Sequence, residues 1–144
     1  MTDLRQLSER FVAAFNRHDL DAIDELTHQD VELIDPSKTV RGRSAARQYT
    51  KEWFDAFPDA KITVVNRIVG ADCVVTEAIM EGTNTGTLKT PMGDLPATGK
   101  HVKGPYCDVT RIKDGLAIYG RLYYDQVDLL TQLGLMPAPA AATA

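Results

Sequence analysis

A chain of 144 residues, 44% hydrophobic and 25% charged, has the length of one domain and buries roughly 70% of its unfolded surface on folding, so its core needs no disulfide or metal staple. The net charge of -4 argues against a nucleic-acid partner or an anionic membrane surface. No apolar run approaches the ~18 residues that span a bilayer, and the opening residues lack the apolar core of a signal peptide, so the expected setting is cytoplasmic.

In chain order, Leu4, Leu7, Phe11, Ala14 and Phe15 recur at helical spacing from Leu4 to Asn16, with Thr2 or Asp3 as a cap. Asp19 caps a short second helix carrying Leu20, Ile23 and Leu26. Val31 to Ile34 reads as a strand halted by Asp35-Pro36-Ser37, because proline removes a donor and biases Asp35 to extended backbone. A third helix runs from about Ser44 to Phe57, with Ala46, Tyr49, Trp53 and Ala56 on one face.

From Ala60 the period changes from helical to two. Lys61 to Ile68 is a strand, and Cys73 to Glu81 alternates between Val74, Thr76, Ala78, Met80 and the opposite set Val75, Glu77, Ile79, Glu81. Thr83 to Gly104 is the loosest stretch, with short β extensions expected around its turns. Tyr106, Asp108, Thr110 and Ile112 then share one face of a strand. Lys113-Asp114-Gly115 makes a hairpin turn, since Asp-Gly supplies positive φ. The return strand splits into Ile118, Gly120, Leu122, Tyr124 and the outward set Ala117, Tyr119, Arg121, Tyr123. Asp125 caps a last short helix, and Gly134 takes its left-handed end.

Helices followed by antiparallel strands imply an α+β domain over residues 1–136, with helices on one face of a curved sheet and a flexible tail over 137–144. Cys73 and Cys107 sit in apolar runs without metal or redox spacing and read as buried free thiols. His18, His28 and His101 are scattered without ligand spacing, and none is assigned to a metal.

Several segments in combination carry a resemblance: Phe15-Asn16-Arg17-His18-Asp19-Leu20-Asp21, Trp53 with Phe57-Pro58-Asp59, Glu81 to Gly86, Pro96 to Lys100, Asp108 to Gly115, and Asp125 with Gln132-Leu133-Gly134. Over about residues 4 to 136 the chain resembles the SnoaL-like polyketide cyclases of the NTF2-like superfamily. The resemblance implies a cone-shaped fold in which N-terminal helices and a curved, mixed but mostly antiparallel sheet enclose a pocket. It implies no metal, no cofactor, a small apolar or aromatic ligand, and a homodimer. The related cyclases close a ring by intramolecular aldol condensation; other relatives are ketosteroid isomerases, limonene-epoxide hydrolases or non-catalytic binding proteins.

The departures from that pattern matter as much. The cyclases' acid/base aspartate, three residues before the aspartate that starts the last helix, corresponds to Leu122, and their histidine to Asp108. Many relatives have histidine at Asn84. The isomerases' base aspartate matches Asp35, their protonated aspartate matches Asp108, and their oxyanion tyrosine corresponds to Phe11. Asp108, on a strand with Tyr106 and Ile112, is poorly hydrated, so its pKa is expected to rise. It would stabilise or protonate a substrate oxygen, with Asp35 as a second acid/base. Asp35 also has a plainer reading as a turn residue that accepts from a backbone N–H two positions on. Phe11, Phe15, Tyr49, Trp53, Tyr106, Leu122 and Tyr124 are the expected substrate-binding wall. The expected function is cofactor-independent cyclase- or isomerase-type chemistry on a small apolar carbonyl or polyketide-like compound. The alternative is a non-catalytic module that binds a small molecule or a partner.

Overall fold

The computed structural model describes residues 2–137; apart from Pro137, the tail expected over 137–144 lies outside them. The chain runs α1 (Leu4–Asn16), α2 (Leu20–Glu25), β1 (Thr27–Ile34), β2 (Thr39–Arg41), α3 (Arg43–Ala56), β3 (Lys61–Val69), β4 (Cys73–Thr83), β5 (Leu88–Thr90), β6 (Gly93–Leu95), β7 (His101–Lys113), β8 (Leu116–Tyr124) and α4 (Gln126–Gln132). Six strands form one sheet in the order β2-β1-β8-β7-β4-β3, while β5 and β6 form a separate hairpin. β1 and β8 pair in parallel and all other neighbours are antiparallel. This is the α+β architecture expected, a mostly antiparallel sheet with helices packed on one face.

Aspartates start three of the four helices. Asp3, Asp19 and Asp125 accept from the backbone N–H groups of Gln6, Ala22 and Asp128 at 3.1, 3.0 and 2.9 Å. Each satisfies a donor that the helix itself leaves open. At the far end of α4, Gly134 adopts φ 74°, and the N–H of Leu135 donates to the carbonyl of Leu130 at 2.9 Å, closing the helix as a Schellman turn. Leu133 is thereby driven into a core of Ala56, Phe57, Ala60, Leu88 and Val102, which fixes α4 at one end of the sheet.

The link between α1 and α2 is a tie to the sheet. Asn16 donates to the carbonyl of Ile62 at 3.0 Å and accepts from its N–H at 2.8 Å, standing in for a neighbouring strand on β3. His18, at φ 56°, bonds the carbonyl of Ala60 at 2.9 Å through Nε2, so that nitrogen carries the proton. Its ring stacks on Phe54 at 4.0 Å. Asn16→Ala should therefore lower stability by about 1–3 kcal/mol, seen as a lower urea midpoint at unchanged slope.

Three sequence expectations need correction. β1 begins at Thr27, four residues earlier than expected, whereas the short β extensions expected after Thr83 are present as β5 and β6. Ala117 is not on the outer set: a bulge between β7 and β8 leaves Ile118 unpaired and sets Ala117 opposite Ile112, while Thr110 pairs Gly120. One extra residue in a strand reverses the alternation beyond it. Cys73 and Cys107 are free but half-buried, not buried.

Candidate active site

The concave face of the sheet and the inner faces of α1, α2 and α3 enclose a cavity of about 340 Å³, within the size range of small-molecule sites. Its sheet wall is built in rows by strand register. One row is Val74–Thr110–Gly120, the next Thr76–Asp108–Leu122, and the third Tyr106–Tyr124. Gly120 lets the Leu33 side chain pack close over the strand, where an added Cβ would lie 2.9 Å from Leu33 Cδ2 and push that methyl aside. Phe11 and Phe15 of α1, with Tyr49 and Trp53 of α3, close the helical side. Trp53 is the hub of this wall, edge-on to Tyr49 at 6.4 Å and to Tyr124 at 6.2 Å between ring centroids. The wall around Asp108 is thus largely apolar and aromatic, while Asp24, Arg47, Lys103, Asp128 and Gln132 add polar groups elsewhere on the lining.

Asp108 occupies the middle of these rows. It is half-buried, and the surface it keeps faces the cavity. The Thr110 hydroxyl donates to Oδ1 at 2.6 Å, which leaves Oδ2 without a side-chain donor among the described residues. Burial pushes the Asp108 carboxyl up to about 6, partly opposed by the Thr110 hydrogen bond. The phenols of Tyr106 and Tyr124 are held above their ordinary range, first by burial and then by the charges of Asp108 and Asp35 respectively. Both therefore remain hydroxyls at any ordinary pH.

Asp35 is buried at 8% exposure and does not line the cavity that holds Asp108. It borders a recess of about 30 Å³ on the far side of Tyr49, with Lys38 and Glu52. Its Oδ1 accepts from the Ser37 N–H at 2.7 Å, the Ser37 hydroxyl at 2.7 Å and the Lys38 N–H at 2.9 Å. Its Oδ2 accepts from the Tyr49 hydroxyl at 2.7 Å. Burial and then the Asp35 charge raise the pKa of Tyr49, against the smaller effect of the Trp53 indole. The seven expected wall residues and Asp108 are thus brought together around one space, and Asp35 stands behind one of them.

Sequence reasoning passed over Thr76 and Thr110. Both were on faces read as inward, and a threonine within an otherwise apolar inward set was the available signal. Asn84 is 1% exposed and does not line the cavity. Among the described residues no three His, Cys, Asp or Glu side chains converge as a metal site would require, and no helix is long and apolar enough to cross a membrane.

Comparison with known proteins agrees with this geometry. A family model described as "SnoaL-like domain" matches residues 8–119. Among solved structures, TsrD from Streptomyces laurentii is 26% identical with a TM-score of 0.80, over 92% of this chain and 96% of that one. A candidate SnoaL-like polyketide cyclase from Jannaschia sp. CCS1 is 23% identical with a TM-score of 0.82, over 92% of each chain. A hypothetical protein with a ketosteroid isomerase-like fold from Catenulispora acidiphila, in complex with trimethylamine, is 20% identical with a TM-score of 0.75, over 100% of both chains. No curated protein matches.

Proposed function

The chain belongs to the SnoaL-like domain family, and from that footing we propose that it is an acid–base enzyme acting on a small, largely apolar carbonyl compound. The observation that carries the reading is Asp108, a carboxyl set among aromatic and aliphatic side chains and pushed up to about 6. A base of that strength is well matched to proton transfer near neutral pH.

The Asp108 carboxylate, oriented by Thr110, takes the proton from a carbon beside the carbonyl. The C–H electron pair passes into the carbonyl to give an enolate. Where a C=C bond of the substrate is conjugated with that enolate, the new carboxyl returns its proton to the far carbon of the dienolate and the double bond shifts toward the carbonyl, which is isomerisation. Alternatively, the carboxyl gives the proton to the alkoxide formed when the enolate carbon attacks a second carbonyl, which is ring closure. Either route consumes no other reagent. Asp35 acts through Tyr49: its carboxylate fixes the hydroxyl and hence the ring that forms part of the wall. It is a positioning residue in this scheme.

Leu122 favours a second reading, a non-catalytic binding module, because an inert side chain stands opposite Asp108, at the position that the resemblance to the cyclases would give to their aspartate. Exchange of the protons beside the carbonyl of 2-tetralone in deuterium oxide, followed by NMR, separates the two. The enzyme reading predicts exchange that quickens as pH rises through about 6, as Asp108 ionises. The binding reading predicts exchange at the buffer rate.

A further inference from the structure

Thr76 is the polar member of the inward set on β4, between Val74 and Ala78. It is 6% exposed and lines the cavity. Its hydroxyl makes no hydrogen bond among the described residues, yet no buried side-chain nitrogen or oxygen there is left without a partner. The hydroxyl therefore keeps a little open surface, and the space Thr76 lines is the cavity. Thr110, one row away, has its hydroxyl committed to Asp108.

In the sheet Thr76 stands directly opposite Asp108 on one side, and Leu122 stands opposite it on the other. Directly paired residues have Cβ atoms about 5 Å apart. A carbonyl oxygen and the carbon beside it can thus be reached at once by a hydroxyl and a carboxylate so placed. The ionised carboxylate has no proton to donate, whereas the hydroxyl has one.

We propose that Thr76 donates a hydrogen bond to the substrate's carbonyl oxygen and holds it as the enolate forms, while Asp108 works on the adjoining carbon. The proposal rests on the reading of Asp108 as the base. It also fixes the direction in which the substrate lies. The oxygen points to β4, and the apolar skeleton runs toward β8 against Leu122 and Tyr124. The substrate class that follows has one enolisable carbonyl at the end of an apolar, ring-sized body. Preorganised donors of this kind act where charge develops.

The test uses 2-tetralone and 2-methylenetetralin, which replaces C=O by C=CH₂. Trp53, the chain's one tryptophan, lines the cavity and reports binding by its fluorescence. The wild-type protein should prefer the ketone. Thr76→Val should weaken ketone binding about five- to tenfold, the worth of one hydrogen bond, and leave the alkene unchanged. It should also shift the carbonyl stretching band of the bound ketone to higher frequency, and Thr76→Ser should restore both. An unmoved band, or equal weakening of both probes, overturns the proposal, and a wild type that binds neither probe overturns it together with the pocket reading. A shifted band with proton exchange intact in Asp108→Asn leaves Thr76 as the donor and removes Asp108 as the base. Exchange lost in Asp108→Asn with the band unmoved in Thr76→Val does the reverse.

Discussion

Asp108→Asn is expected to cut the rate of proton exchange on 2-tetralone by about 10²–10⁴-fold, the usual contribution of a positioned base, and to make the protein more stable above about pH 6. Both effects come from the same burial. The carboxyl titrates at about 6 in the folded chain against 3.8 for the ordinary side chain. Between those values the folded chain holds a proton that the unfolded chain has released. Stability therefore falls as pH rises through the window; the deficit is full above about pH 6 and absent below about pH 4. Its size is about 2–3 kcal/mol before allowance for the solvent that reaches the cavity. Asparagine keeps the shape and an acceptor for the Thr110 hydroxyl but carries no charge. Urea midpoints of the variant and the wild type should separate at about pH 8 and converge at about pH 4. Midpoints that stay parallel across that range would mean that burial does not tune this carboxyl.

Asn84→Ala is expected to destabilise the fold by about 3–5 kcal/mol, the largest loss anticipated for a side chain outside the cavity. The Asn84 amide donates to the carbonyls of Ala56 at 3.2 Å and Gly86 at 2.9 Å. Its oxygen accepts from the N–H and hydroxyl of Thr98 at 2.8 and 2.9 Å. One side chain thus joins the end of α3 to both arms of the loop between β4 and β7. Gly86 lies so close beneath α3 that a Cβ would meet the carbonyl oxygen of Asp55 at 1.8 Å. Alanine at 84 leaves several polar groups at a dry site without partners. The expected signature is a large drop in urea midpoint with 2-tetralone affinity preserved in the fraction that folds, because Asn84 does not line the cavity.

Local chemistry was legible in the sequence wherever one residue type has one physical use. Asp114-Gly115 forms the turn expected of it, with φ of 53° and 75°, and Asp19 and Asp125 cap the helices they precede. The alternation on β4 correctly separates buried Val74, Thr76 and Ala78 from their neighbours. The bulge at Ile118 was not legible, because nothing in Ala117-Ile118-Tyr119 distinguishes an inserted residue from a paired one. The setting of Asp35 was only half legible. Its bonds to Ser37 and Lys38 are local turn chemistry that Asp-Pro-Ser announces, but its bond to Tyr49 depends on how α3 packs against the end of β1. Thr76 was overlooked for a related reason. Its inward face could be read, but that its hydroxyl has no partner among the described residues follows only from the whole wall.

The measurement that bears most directly on the central claim is proton exchange at the carbon beside the carbonyl of bound 2-tetralone, with saturation established by Trp53 fluorescence. It should be followed by NMR in deuterium oxide for the wild type and Asp108→Asn across the pH range around 6. The account predicts exchange well above the buffer rate in the wild type, rising as Asp108 ionises, and exchange at the buffer rate in the variant. A saturated wild-type complex that exchanges no faster than buffer would contradict it, and would leave a cavity that binds without catalysing.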